Sequence, residues 1–238
     1  MIEIGFSWPA LILALPAAGL GWWCARVACR YAVLLLNDGP FFDGAQLLLR
    51  AARPSGAAEA VCRLSIACAA LMAGLVFVLW MRYGGSLLFI ASVAALAILL
   101  VLAIVDAKTS LLPDALTLPL LWLGLACAWH QGPLVLQASV AGAMAGYVFL
   151  YCLFWLFRLI RRREGMGYGD FKLLAALGAW VGLLNVPYVL LTACLAGLLF
   201  AARQGQNPDL ATVYPFGPFL AASGAAVMVF APEVHSYF

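Results

Sequence analysis

The sequence predicts an all-α protein, a polytopic membrane bundle of about eight transmembrane helices. Hydrophobic residues fill 66% of the 238 positions and charged residues only 10%, against roughly 45–50% and 25% in soluble domains. The apolar residues form stretches of about 20, enough to cross a hydrocarbon core of roughly 30 Å as a helix. Porin-type strands would alternate apolar and polar residues instead, and a net charge of +3 is too small for a nucleic-acid-binding face. We therefore expect one integral membrane domain over 1–238.

Six apolar stretches predict one span each, and a seventh stretch predicts two. The six are Phe6–Cys24, Leu64–Met81, Leu87–Val105, Leu111–Trp129, Pro133–Phe157 and Pro218–Ala231. The seventh, Phe171–Ala202, is too long at about 1.5 Å per residue for one comfortable crossing. Asn185 and Pro187 near its middle favour a tight turn between two short helices. The prediction is eight spans, and seven is the alternative if this stretch stays continuous.

The basic residues predict how the spans are oriented, because Lys and Arg accumulate on the cytoplasmic side. With eight spans, Arg82 falls alone on one side and the other 12 of the 13 basic residues fall on the opposite side. Those 12 are Arg26, Arg30, Arg50, Arg53, Arg63, Lys108, Arg158, Arg161, Arg162, Arg163, Lys172 and Arg203. Their side is predicted to be cytoplasmic, with a cytoplasmic loop at about 26–63 and both termini periplasmic. The first stretch is expected to be a retained helix, since no basic residue precedes it as in a signal peptide.

Two aspartates lie beside apolar stretches, where burial of a carboxylate costs about 2.5–3.5 kcal/mol. Asp106 directly follows Leu87–Val105, and Asp170 directly precedes the stretch that begins at Phe171. The predicted topology puts both at the cytoplasmic ends of their spans, so a helix bundle can bring them together. Two carboxyl groups a few ångströms apart cannot both ionise. They therefore share one proton and titrate as a pair. That arrangement is typical of an aspartic protease.

The simpler interpretation of either aspartate is a solvated helix cap. The surroundings of Asp170 favour a site, because the segment GMGYGDFK has glycine at every second position, at Gly165, Gly167 and Gly169. Glycine permits positive φ and the close approach of another segment, at a cost in conformational entropy. An ordinary turn between membrane helices does not need three glycines, so the pattern favours a functional site.

Three motifs in this order resemble those of the type IV prepilin peptidases, membrane aspartic proteases of the GxGD class. They are DAKTSLLPDALTLPLLWLGL at 106–125, GMGYGDFKLLAALGAW at 165–180 and YPFGPFLA at 214–221. The resemblance implies removal of the leader peptide from type IV prepilins or type II secretion pseudopilins. It also implies that this happens at the cytoplasmic face of the bacterial inner membrane.

The resemblance implies that Asp106 and Asp170 are the catalytic pair. The motif residues that support the site would be Gly167, Tyr168 and Gly169. Asp114 is the rival for the role of Asp106, but it stands in Leu-Pro-Asp ahead of an apolar stretch, where a helix N-cap is the simpler interpretation. The late motif, with Pro215, Gly217 and Pro218, is given a packing or turn role.

Relatives of this kind commonly carry a tetracysteine zinc site, and many methylate the new N-terminus with S-adenosylmethionine. Here Cys24 and Cys29 are spaced too widely for C-x-x-C, and the other cysteines lie in or beside apolar stretches. We predict no metal, and proteolysis needs no cofactor. The family's early Gly-Ser-Phe-Leu-Asn-type motif is replaced by LGWWCARVACRYA at 20–32, so S-adenosylmethionine is expected only if methylation is retained.

Two other classes of function stay open at this point. An ion- or proton-coupled transporter would use Asp106 and Asp170 as a relay, although such carboxylates usually lie near the midplane. An inactive assembly component of a secretion apparatus would keep the motifs without the activity. The expected partners are prepilin or pseudopilin substrates and the lipid bilayer, with no nucleic acid, and the oligomeric state is left open.

Overall fold

The computed structural model describes residues 8–38, 48, 51, 63–161, 167–203 and 215–230. All regular structure in these ranges is helical, which confirms the predicted all-α class. The helices are α1 Trp8–Asp38, α2 Arg63–Tyr83, α3 Leu87–Thr109, α4 Asp114–Gln131, α5 Pro133–Arg161, α6 Tyr168–Val181, α7 Val186–Arg203 and α8 Gly217–Phe230. They correspond one to one to the eight predicted spans.

Four of the described helices are long and apolar enough to cross a membrane, judged by length and composition. They are α2, α3, α5 and α7 together with the turn before it, while α8 is apolar but shorter. The chain is therefore a multi-pass membrane protein. With 14 residues each, α6 and α8 extend only about 21 Å. That the remaining four helices also cross the bilayer stays a prediction.

The long stretch 171–202 is divided in two at the place that Asn185 and Pro187 indicate. α6 ends before Gly182, whose φ of 74° lies in the left-handed region that glycine adopts without strain. A 3₁₀ turn over Leu183–Asn185 follows, and the Asn185 side chain donates to the Val181 carbonyl oxygen at 2.8 Å. α7 then begins with Pro187 in its first turn, where proline is tolerated. This break favours eight helices over the seven-span alternative.

α1 continues well beyond the predicted end of the first span at Cys24, because its later turns are packed against α3. The helix runs on to Asp38, through much of what the sequence predicts as the start of a loop. The buried cluster between the two helices contains Ala25, Ala28, Tyr31, Val101, Ile104 and Val105. Small residues on one face of α1 allow this close packing. The basic residues Arg26 and Arg30 indicate only that a loop begins there, so they do not predict the longer helix.

α6 is enclosed by its neighbours, and ten of its 14 residues are buried. Gly178 of α6 lies directly against Gly142 of α5, so the two backbones touch. On another side, Leu177 of α6 fills the space in front of Gly224 of α8. Glycines on the neighbouring helices therefore allow α6 to lie in the middle of the bundle.

Arg82, the basic residue predicted to be alone on its side, lies at the end of α2 and donates to the Val229 carbonyl oxygen at 2.6 Å. Val229 is in the last turn of α8, so the arginine neutralises carbonyl oxygens at a helix C-terminus. Most of the predicted loop at 26–63, the basic residues Arg162 and Arg163, Gly165 and both chain termini lie outside the described residues.

Candidate active site

Asp106 lies in the last turn of α3 and is only 4% exposed. The helix continues past it to Thr109, one turn further than the apolar stretch indicates, and ends at Ser110 in the left-handed region with φ 53°. The Ser110 amide donates to the Asp106 carbonyl oxygen at 2.7 Å. The aspartate is thus held on a closed helix turn, and its carboxyl group points into the bundle.

Asp170 lies in the first turn of α6 and is 6% exposed. Gly167 is the N-cap residue and makes no side-chain hydrogen bond, while the Asp170 amide donates to the Gly167 carbonyl oxygen at 3.3 Å. An acidic residue is favourable at a helix N-terminus. The burial of this one does not fit the solvated cap that the sequence leaves as the simpler interpretation.

The two aspartates lie at the same end of the bundle. The carboxyl groups are close enough for the charge of Asp106 to act on Asp170. The first residue of α8, Gly217, lies against the Asp106 carboxyl group, since a Cβ on this glycine would come within 2.6 Å of Asp106 Oδ2. This same Oδ2 atom is buried and receives no hydrogen bond from any described residue. An acceptor of this kind is costly unless it is protonated or finds a donor.

The motif residues beside Asp170 have different surroundings. Gly169 packs against Leu112 of the α3–α4 connection, where a Cβ would come within 2.7 Å of the leucine Cβ. Tyr168 is exposed on one side and packs its ring against Phe154 and Phe171, with centroids 5.2 Å and 5.7 Å away. Gly167 has open space beside it, apart from Asp170 Oδ2 at 4.0 Å from a built Cβ. Of the three, Gly169 is the position where packing excludes a side chain.

Asp114 is not the N-cap of α4 that the sequence suggests. Pro113 is the N-cap residue and Asp114 is the first residue of the helix, because proline at 113 already takes the extended conformation that a cap requires. The Asp114 carboxylate is 55% exposed and accepts from Lys172 Nζ at 2.7 Å on both oxygens. It is a paired surface carboxylate and is not a member of the buried pair.

Two features of this end were missed by the sequence reasoning: the contact of Gly217 with Asp106 and the ion pair of Lys172 with Asp114. The positions of these four residues beside predicted spans indicate that they lie at the same end of the bundle. They do not indicate which of the residues contact each other. Within the described residues, no three His, Cys, Asp or Glu side chains form a group that could hold a metal ion.

Comparison with known proteins gives one family match. The profile of the type IV leader peptidase family matches residues 93–202, a segment that contains both buried aspartates and Asp114. No solved structure matches the chain.

Similar curated proteins include three that are named prepilin leader peptidase/N-methyltransferase. The relative from Burkholderia pseudomallei (strain 1026b) is 49% identical over 152 residues, which cover 62% of this chain and 48% of the relative. The one from Dichelobacter nodosus is 46% identical over 140 residues, 59% and 48% of the two chains. The one from Pseudomonas putida is 40% identical over 157 residues, 65% and 54%. The chain spans about half the length of the curated relatives it matches.

Proposed function

We propose that the protein is a membrane-embedded aspartic endopeptidase, since residues 93–202 match the profile of the type IV leader peptidase family. Its substrates would be type IV prepilins or type II secretion pseudopilins, from which it removes the leader peptide. The catalytic groups would be Asp106 and Asp170, and the peptidase would occupy 1–238 as a single membrane domain.

The observation that carries this proposal is the pair of buried carboxyl groups at one end of the bundle. Because both are more than nine-tenths buried, at most one of them ionises readily and the pair holds one proton. The ionised carboxylate then takes a proton from a water molecule as the water attacks the scissile carbonyl carbon. The protonated partner donates a hydrogen bond to the developing oxyanion. Proton transfer from the pair to the leaving nitrogen completes the cleavage.

The position of the pair suits a substrate that is part apolar helix and part aqueous leader. α3 ends at this end of the bundle, and α4, α6 and α8 begin there. We propose that this end faces the cytoplasm, as the distribution of Lys and Arg predicts. A transporter would place its coupling carboxylates nearer the midplane, so the position favours hydrolysis over transport.

Methylation of the new N-terminus would be a second activity, and the relatives' printed names include it. It would need S-adenosylmethionine as methyl donor. Among the described residues, the acidic side chains at this end are the buried pair and Asp114, which binds Lys172, and none of them has a role in methyl transfer. Proteolysis by the buried pair needs no cofactor.

The test is leader removal in membranes that contain the full chain and a panel of type IV prepilins and pseudopilins. Asp106→Asn and Asp170→Asn are compared with Asp114→Asn, which makes the same chemical change at the same end. The first two variants should lose all detectable cleavage, and Asp114→Asn should still cut. Mass spectrometry of the product then gives the cleavage position and reports whether the N-terminus is methylated.

Folding is checked by thermal unfolding of each purified variant, so that a lost activity is not a lost fold. Cleavage that persists in folded Asp106→Asn or Asp170→Asn would remove that residue from the pair. A folded wild-type protein that cuts no prepilin of the panel would contradict the peptidase proposal. In that case, proton flux in vesicles would distinguish a transporter from an assembly component.

A further inference from the structure

The ion pair between Lys172 and Asp114 lies beside the buried aspartates without belonging to them. We propose that it is a positioning pair, which fixes the first turn of α6 against the start of α4 and so holds Asp170 at its catalytic distance from Asp106. This inference rests on the proposed function and adds two residues that the peptidase reaction needs in their paired form.

Three residues on one stripe of α6 contact α4 or the connection before it. Gly169 packs on Leu112, Lys172 binds Asp114, and Trp180 Nε1 donates to the Leu120 carbonyl oxygen at 2.9 Å. Residues three, four, seven or eight apart share a face of a helix, and positions 169, 172 and 180 are separated by three and eight residues. The ion pair is thus one of a few defined anchors between these two helices.

Asp170 lies on a different side of α6 from Lys172. Two residues along a helix correspond to about 200° of rotation, so Asp170 and Lys172 lie on nearly opposite sides of α6. Asp170 shares its face with Leu177, which packs on Gly224 of α8, the helix whose first residue contacts Asp106. A rotation or tilt of the first turn that released Lys172 would therefore move the Asp170 carboxyl group directly.

The first turn of α6 begins at a residue that cannot cap it with a side chain. Its N-cap is a glycine that makes no side-chain hydrogen bond, and the free amides of a helix start depend on such bonds. Phe171 holds the turn on the α5 side, through ring contacts with Phe154 at 5.6 Å and Tyr147 at 6.2 Å. On the α4 side, Lys172 supplies the polar anchor next to the packing of Gly169.

The magnitudes predict an effect on rate rather than on stability. Both partners are partly exposed, at 38% and 55%, and exposed ion pairs contribute little to folding stability. A misplacement of about 1 Å at a catalytic group, in contrast, can cost a factor of about 100 in rate. Loss of the pair should therefore lower kcat while the melting temperature and KM change little.

The experiment measures kcat and KM for leader removal by the full chain in lipid vesicles. The variants are Asp114→Asn, Lys172→Gln, the double variant that combines them, and the exchange Asp114→Lys with Lys172→Asp. Lys108→Gln is the matched control. Lys108 stands two residues after the buried Asp106, as Lys172 stands two residues after the buried Asp170, but it makes no ion pair with a described residue. Thermal unfolding is recorded for all of them.

Each single variant should lower kcat about tenfold with KM within about twofold, since the pair holds a catalytic group in place. The double variant should be no slower than the slower single variant, because the two side chains act as one unit. The exchange should restore kcat to within about threefold of the wild type, and Lys108→Gln should match the wild type.

Wild-type kcat in the single variants, additive losses in the double variant, or an equal loss in Lys108→Gln would each overturn the inference while leaving the peptidase intact. If the single variants do not fold, the exchange variant is the deciding test. An active exchange variant supports the positioning pair, and an exchange variant that folds but cleaves slowly contradicts it. A wild-type protein that cuts no prepilin contradicts the proposed function instead, so the two failures are distinguishable.

Discussion

The backbone of Gly217 lies directly against the carboxyl group of Asp106, with no side chain between them. A Cβ at position 217 would lie 2.6 Å from Asp106 Oδ2 and 2.8 Å from its Cγ, inside any normal contact. The start of α8 can approach the aspartate this closely because residue 217 is glycine. The contact brings the third helix of the site, after α3 and α6, to the catalytic end of the bundle.

Replacing this glycine should therefore displace the aspartate or the helix. Gly217→Ala is expected to lower kcat for leader removal by at least about tenfold, because the carboxyl group or α8 must move by a large fraction of an ångström. Gly197→Ala is the matched control on α7, since its new Cβ would meet Phe219 of α8 at an ordinary 3.7 Å. Equal activity in the two variants would show that the approach of Gly217 is not needed for catalysis.

Much of the fold follows from hydropathy alone. Uninterrupted apolar stretches predicted the start of α3 at Leu87 and of α5 at Pro133 correctly, because a lipid-facing helix must be apolar over its whole length. α4 begins three residues later than its apolar stretch, because Pro113 takes the N-cap position. The later turns of α1 were not predicted, since they depend on packing against α3 and not on hydropathy.

The site could be predicted only to the level of membrane depth. Position beside a span places Asp106 and Asp170 at the same end, and the glycine pattern next to Asp170 separates it from ordinary caps. Which helices lie side by side is a matter of lateral packing, and apolar periodicity in a membrane bundle carries little of that information. The ion pair of Asp114 and the contact of Gly217 therefore needed the three-dimensional structure.

The contact of Gly142 with Gly178 predicts a position where stability is sensitive to one methyl group. Gly178→Ala should place a Cβ on the backbone of α5, which cannot rotate away as a side chain can, at an expected cost of about 1–3 kcal/mol. Gly74→Ala is the control on α2, because nothing lies within 4 Å of its new Cβ. Thermal unfolding in detergent should show a clearly lower midpoint for Gly178→Ala only; equal midpoints would contradict this packing.

The orientation of the bundle can be tested with one engineered cysteine at each end of α3, in a chain from which the natural cysteines have been removed. Lys108→Cys lies in the last turn of α3, two residues after Asp106, and Gly85→Cys lies just before the start of α3, on the side of Arg82. Both positions are exposed, so a membrane-impermeant maleimide can reach each of them from its own side. The excess of Lys and Arg at the Asp106 end predicts that this end is cytoplasmic. In intact spheroplasts, Gly85→Cys should therefore react at once, and Lys108→Cys should react only after the membrane is permeabilised. Immediate labelling of Lys108→Cys would place the aspartates on the outer face, where a cytoplasmic leader could not reach them.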